Sequence, residues 1–247
     1  MAHALKALPE LLSAALLLAL WVEPQRFGTE WFRAGVLTLL LEFFVLNAGG
    51  FMAHVMYNPG TSARNRSLGV AALGAGYLVF ISAFAFAFDA WWMLGAFAWL
   101  LFGKIQAIWT GAPPTERDRM HAGAGWALGV AVFLGAVLLS AMVYPLPPLG
   151  AGPEFRDAAG FNGNSSGIWE AEPHRALAGG VLYFTLMGLS RPFLAAYAAR
   201  PAAQAGPVHP MTDRQMWISG GVFVLVIALL NVIIANQEWI LAWLAGN

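Results

Sequence analysis

The sequence predicts an all-α protein, a polytopic transmembrane helical bundle, and three observations support that prediction. Of its 247 residues, 59% are hydrophobic and only 11% are charged, whereas roughly a quarter of the residues of a soluble domain are charged. Long apolar stretches recur along the chain, and several reach the roughly 20 residues that a helix needs to cross a hydrocarbon core about 30 Å thick. Tryptophans collect near the ends of these stretches, where indole rings favour the interface between lipid and water.

Seven stretches qualify as spans, so the whole chain is interpreted as one transmembrane helical domain. The predicted spans cover residues 5–22, 34–57, 68–88, 90–110, 122–144, 176–197 and 216–235. Asp89 alone separates the third span from the fourth, which predicts a tight antiparallel hairpin. Residues 237–246 are apolar as well, and they either extend the last helix or lie along the interface.

Basic residues set the predicted orientation of the bundle. One side of the membrane receives Lys6, Arg64, Arg66, Arg117, Arg119, Arg200 and Arg214, and the other side receives Arg26, Arg33, Arg156 and Arg175. Because cytoplasmic loops carry the excess of lysine and arginine, the N-terminus is predicted to lie inside and the C-terminus outside. The predicted location is a cell membrane, taken to be a bacterial inner membrane, which the chain crosses several times.

The one long connection, residues 145–175, lies on the predicted external side. Its prolines and glycines, and the polar run at residues 162–167, favour turns over helix or strand. Loops of this length are usually functional or disordered. The segment is therefore interpreted either as a plain linker or as a cap over an external vestibule.

Glu42 is the sharpest functional candidate, because an ionisable group at membrane depth costs roughly 2.5–3.5 kcal/mol or more. It lies about eight residues into the second span, roughly 12 Å below the outer end. A charged Glu42 needs a cation, an arginine or a water-filled cavity, and burial otherwise makes it neutral. It is either a proton- or cation-responsive site or a protonated carboxyl that bonds a neighbouring helix, for example at Asn231 or Ser82.

Lys104 and Arg191 form a second candidate site, at nearly equal depth in the fourth and sixth spans, roughly 21–22 Å from the outer end. Both side chains can snorkel to the cytoplasmic headgroups. Alternatively, they form a paired positive site for an anion or a lipid phosphate in the inner half of the membrane. Pro192 slightly favours the pair, because it leaves the Gly188 carbonyl without its helical donor and kinks the helix.

Asn47 and His54 share one face of the second span, with Gly49 and Gly50 between them. The two glycines permit close approach by another helix or by a flat cofactor, and His54 is then a candidate ligand for a haem or pigment. The sequence requires no cofactor. The histidines predicted on the cytoplasmic side have neither HxxxH nor HExxH spacing, so no metal site is predicted.

Composition excludes some functions and leaves three. Zero net charge gives no nucleic-acid footprint, and the absence of cysteine excludes disulfides and thiolate chemistry. The preferred function is a channel or transporter for an ion or small solute, with Glu42, Asn47, Asn231 and Ser82 in the pathway and Lys104 and Arg191 at an inner site. The alternatives are a structural or assembly subunit of a larger membrane complex and, less favoured, a membrane enzyme or a protein that binds haem or pigment. The expected partner is the lipid bilayer, and the expected assemblies are a homo-oligomer or a larger complex.

Overall fold

The chain is all-helical in the part that the computed structural model describes, residues 7–142, 146–161 and 167–198, with the backbone alone described at 191–198. Its helices are α1 (Leu8–Val22), α2 (Thr29–Met56), α3 (Ala63–Ala87), α4 (Trp92–Thr110), α5 (Glu116–Met142), α6 (Pro153–Ala158), α7 (Ile168–Ala171) and α8 (Pro173–Ala198), with a 3-10 turn at Pro24–Arg26. Four of these helices, α2 to α5, are long and apolar enough to cross a membrane. These helices support a membrane protein, whereas the seven spans and the orientation stay predictions.

The structure describes the first, sixth and seventh predicted spans to different extents. Helix α1 has 15 residues, which is about 22 Å at 1.5 Å per residue and less than the thickness of a hydrocarbon core. Helix α8 coincides with the sixth predicted span. The seventh predicted span, residues 216–235, lies outside the described residues, and Asn231 lies there with it.

Helices α2, α3 and α5 begin five or six residues before the predicted spans, and side-chain caps are present at the first turns of α3 and α5. Ser62 caps α3, where its Oγ accepts a hydrogen bond from the Asn65 amide at 3.3 Å. Thr115 and Asp118 form a capping box at the start of α5: the Thr115 amide donates to Asp118 Oδ2 at 2.9 Å, and the Asp118 amide donates to Thr115 Oγ1 at 3.2 Å. Hydropathy identifies only the apolar part of a helix, so it does not predict polar helix ends of this kind.

Helices α3 and α4 form the predicted antiparallel hairpin. Asp89 takes the left-handed conformation, with φ 47°, and the Ala90 amide donates to the Ala85 carbonyl at 2.8 Å. This is the six-residue closure that commonly ends a helix before a sharp reversal. A Cβ placed on Gly74 would lie 2.5 Å from the Leu101 side chain, so the two backbones approach closely and the hairpin prediction is confirmed.

The chain folds as two compact units. Among the described residues, unit 1 comprises 7–11, Leu37–Gly135 and 183–198, and unit 2 comprises Leu12–Val36, 136–142, 146–161 and 167–182. Helices α1, α2, α5 and α8 each contribute to both units. The core of unit 1 is a buried apolar cluster that includes Phe44, Met52, Val70, Ile81 and Phe97.

The described part of the connection 145–175 is folded onto unit 2 and contains α6 and α7, which corrects the expectation of turns alone. Phe32, fully buried at the start of α2, makes edge-to-face contacts with Phe155 and Phe161 at 5.3 and 6.1 Å between ring centroids. Trp21 Nε1 donates to the Pro147 carbonyl at 3.1 Å. Apolar side chains within a segment rich in proline and glycine therefore hold it in place.

Acid is expected to destabilise unit 2 through His174. This side chain is buried, its Nε2 lies 3.1 Å from the Leu146 carbonyl, and burial lowers the pKa of His174 below its ordinary value of 6.5. The unfolded chain therefore takes up a proton that the folded chain resists, and stability falls as the pH drops below 6.5. Unfolding in detergent should show this loss in the wild type and a smaller loss in His174→Gln, whereas equal losses would contradict the assignment.

Candidate functional site

Glu42 lies at the middle of α2 and bonds a side chain from another helix. It is midway between Thr29 and Met56, about 20 Å from either end of the helix at 1.5 Å per residue. The Tyr183 hydroxyl of α8 donates to Glu42 Oε1 at 2.7 Å. Because α2 begins earlier than predicted, the carboxyl lies deeper along its helix than the sequence indicated.

The surroundings of Tyr183 are aromatic. Its side chain is 3% exposed, and its ring meets Phe133 of α5 edge-to-face at 5.4 Å and Phe184 at 4.9 Å. Phe133 in turn lies 6.2 Å from Phe43, the neighbour of Glu42 on α2. The phenol is therefore held by packing, and its hydroxyl is directed at the carboxyl.

Asn47 is held by a second tyrosine in unit 1. The Tyr77 hydroxyl of α3 donates to Asn47 Oδ1 at 3.3 Å, and the Tyr77 ring lies 6.4 Å from Phe97 of α4. Ser82, considered in the sequence as a partner of Glu42, donates to the Leu78 carbonyl of its own helix at 2.7 Å instead. Polar side chains on two faces of α2 thus each accept from a phenol of a different helix.

The space beside the double glycine is taken by an indole ring. Trp126 Nε1 of α5 donates to the Leu46 carbonyl at 3.0 Å, and a Cβ on Gly50 would lie 2.5 Å from the Trp126 Nε1 and Cε2 atoms. A Cβ on Gly49 would meet nothing within 4 Å. The sequence suggested close approach by another helix or by a flat cofactor at the double glycine. At Gly50 the structure shows close approach by another helix, α5.

His54, the candidate ligand for a cofactor, faces Arg119 of α5. Arg119 Nη2 lies 3.4 Å from His54 Nδ1, and since a guanidinium only donates, Arg119 is the donor in this contact. Arg119 also lies 3.9 Å from Glu116, three residues earlier on the same helix. Within the described ranges, no three His, Asp or Glu side chains come together as metal ligands would.

The two cations predicted at an inner site are described to different extents. Lys104 is partly buried on α4. Arg191 falls within α8, but its side chain lies outside the described part, so the predicted pairing of the two stays a prediction.

Two arginines that the sequence counted as loop charges cap helix ends instead. Arg66 of α3 is 7% exposed, and its Nη1 donates to the Met56 carbonyl at the end of α2 at 2.8 Å. Arg175 of α8 is 3% exposed and donates to the Ser140 and Ala141 carbonyls near the end of α5 at 3.1 and 3.0 Å, with an ion pair to Glu172. A cation at a helix C-terminus satisfies terminal carbonyls and opposes the helix dipole.

Sequence reasoning named the polar residues of α2 but missed the tyrosines that bond them. A usable signal existed, because Tyr77 and Tyr183 fall inside predicted spans, away from the interface where tyrosine is enriched. A buried tyrosine hydroxyl usually has a hydrogen-bond partner. A mid-span tyrosine therefore predicts a polar acceptor on a neighbouring helix.

Comparison of the chain with known protein families, with characterised proteins and with solved structures finds no match.

Proposed function

We propose that this protein is a membrane transport protein that carries protons through unit 1, with Glu42 as the group that takes up and releases them. The observation that supports this most is the 2.7 Å hydrogen bond from the Tyr183 hydroxyl to Glu42 Oε1. A carboxyl at the middle of a helix long enough to span a membrane is costly in lipid, and such residues typically belong to ion pathways or proton relays.

The chemistry of the pair suits reversible protonation. A phenol donates to a carboxylate through its hydroxyl and can accept through the same oxygen when the carboxyl is protonated. Both protonation states of Glu42 therefore keep a partner in Tyr183. The carboxyl gains or loses its proton without leaving a buried polar atom unsatisfied, which would otherwise cost about 1–3 kcal/mol.

The polar pairs of unit 1 extend this proposal along α2. Asn47, bonded by Tyr77, and His54, bonded by Arg119, follow Glu42 toward the end of the helix. Asn47 and His54 lie two turns apart on one face of α2, whereas Glu42 lies about 140° around the helix from Asn47. Glu42 is therefore assigned the protonation step, and Asn47 and His54 are candidates for the path toward the end of α2.

Reconstitution of the full chain into liposomes tests the proposal. An outward potassium gradient with valinomycin makes the interior negative, and a trapped pH-sensitive dye then reports proton entry. We expect faster acidification of the interior than in protein-free liposomes, with a rate proportional to the amount of protein inserted. Acidification no faster than in protein-free liposomes would reject proton transport and would favour the structural-subunit alternative.

A further inference from the structure

Lys104 lies on the packed face of α4 and not on its exposed apolar face. Buried and partly buried residues recur along that face at Phe97, Leu101, Lys104 and Ile108, with the spacing of four, three and four residues that defines one side of a helix. The opposite side carries Trp99, Phe102 and Trp109, which are 75%, 57% and 62% exposed. An ammonium that only snorkelled along a lipid-facing surface would be expected on the exposed side.

The contacts of neighbouring helices place Lys104 near the level at which α2 ends. Leu101, one turn before Lys104, meets Gly74 of α3. Val70 lies one turn before Gly74 on α3 and is fully buried. Its neighbour Gly69 packs against Val55 of α2. Lys104, Val70 and Val55 therefore occupy about the same layer of unit 1.

Two arginine side chains reach this layer of unit 1. His54 precedes Val55 on α2 and faces Arg119 of α5, and the buried guanidinium of Arg66 reaches the last turn of α2. The acids of the described residues at this end, Glu116 and Asp118, lie in the first turn of α5, and Glu116 pairs with Arg119 at 3.9 Å. Glu42 is far from the layer, about 18 Å from His54 along α2 at 1.5 Å per residue.

Lys104 has no hydrogen bond and no ion pair with any described residue. A charged amine on a packed helix face inside a membrane costs roughly 2.5–3.5 kcal/mol or more unless an anion neutralises it. The Arg66 Nε atom in the same layer is also buried without a hydrogen-bond partner among the described residues. Lys104 and Arg66 therefore each carry a hydrogen-bond donor without an acceptor among the described residues. They belong to α4 and α3, which pack together.

We propose that Lys104 anchors a binding site for an oxyanion, in particular a phosphate group, in the layer of unit 1 where α2 ends. The phosphate belongs either to an anionic lipid headgroup or to a free anion. Lys104 lies about 9 Å before the end of α4 at 1.5 Å per residue, a depth at which a long amine side chain reaches toward a group at headgroup level. This site goes beyond proton transport and does not depend on it.

The lysine content of the chain makes the site directly observable. Lys6 and Lys104 are the two lysines of the sequence, so a Lys6→Arg variant leaves Lys104 as the only one. Reductive methylation with ¹³C-formaldehyde then labels Lys104 and the N-terminal amine, retains their charge, and gives two signals in a carbon–proton correlation spectrum. The variant is placed in phosphatidylcholine nanodiscs and titrated with inorganic phosphate, and a parallel sample replaces part of the phosphatidylcholine with phosphatidylglycerol.

We expect the Lys104 signal to be that of a charged amine at neutral pH and to shift saturably in at least one arm, while the N-terminal signal stays in place. A shift with inorganic phosphate but not with chloride at equal ionic strength identifies a free anion. A shift with phosphatidylglycerol alone identifies a lipid headgroup. A Lys104 signal that moves in neither arm, or that belongs to a neutral amine at neutral pH, would overturn the proposal, and neither result depends on proton flux.

Discussion

Proton flux through liposomes that contain Glu42→Gln is expected to fall about tenfold or more below that of the wild type, a change that corresponds to about 1.4 kcal/mol in the barrier. Glutamine keeps the size and the hydrogen-bond acceptor that Tyr183 needs, but it cannot take up or release a proton. The dye assay described above measures the effect directly.

Glu30 provides the matched control for this substitution. It lies on the same helix, in the first turn and exposed, so Glu30→Gln removes the same charge away from the Tyr183 pair and should leave the flux unchanged. Tyr183→Phe should give an intermediate flux, because Glu42 stays titratable but loses a hydrogen bond. Equal flux in wild type and Glu42→Gln would remove Glu42 from the mechanism.

Gly50→Ala is expected to destabilise the protein by about 1–3 kcal/mol, the usual cost of overpacking a tight contact. A Cβ at this position would lie 2.5 Å from two atoms of the Trp126 indole, which is a rigid ring and not the end of a flexible chain. The ring must move, and its hydrogen bond to the Leu46 carbonyl, worth about 1 kcal/mol, is weakened. Unfolding by sodium dodecyl sulfate, followed by far-ultraviolet circular dichroism, measures the loss.

Gly49→Ala is the control next to it, since a Cβ at Gly49 meets nothing within 4 Å. This variant should unfold at or above the detergent concentration of the wild type, because alanine is a better helix former than glycine. Gly50→Ala should also cost less in a Trp126→Phe background than in the wild type, as expected for residues in contact. Equal losses for the two glycine variants would show that the indole does not pack as described.

Helices were predictable from the sequence because hydropathy identifies the solvent of a segment, but helix ends were not. The first turns of α3 and α5 are polar and helical at once, and side-chain caps, Ser62 and the Thr115–Asp118 pair, stabilise them. The structure of the connection 145–175 was predicted wrongly for the opposite reason. Its prolines and glycines suggested turns, whereas Phe155 and Phe161 anchor it on Phe32.

The candidate site was predictable in the polar residues of α2 and not in the partners that bond them. Glu42, Asn47 and His54 stand out because polar groups are costly in lipid, and that cost can be read from a single span. Their partners Tyr183, Tyr77 and Arg119 depend on how each neighbouring helix is rotated and offset. That rotation is decided by packing contacts such as Gly50 against Trp126, which only the fold specifies. Arg66 was misread for the same reason, since its target carbonyl belongs to another helix.

Whether Glu42 changes its protonation state inside the membrane can be observed by infrared difference spectroscopy of the protein in lipid between alkaline and acidic buffer. The wild type should show a carboxylic acid carbonyl band on acidification that is missing in Glu42→Gln and displaced in Tyr183→Phe, because a hydrogen bond shifts that band. Identical difference spectra for the wild type and Glu42→Gln would mean that this carboxyl never titrates, and the proposed role in proton transport would be wrong.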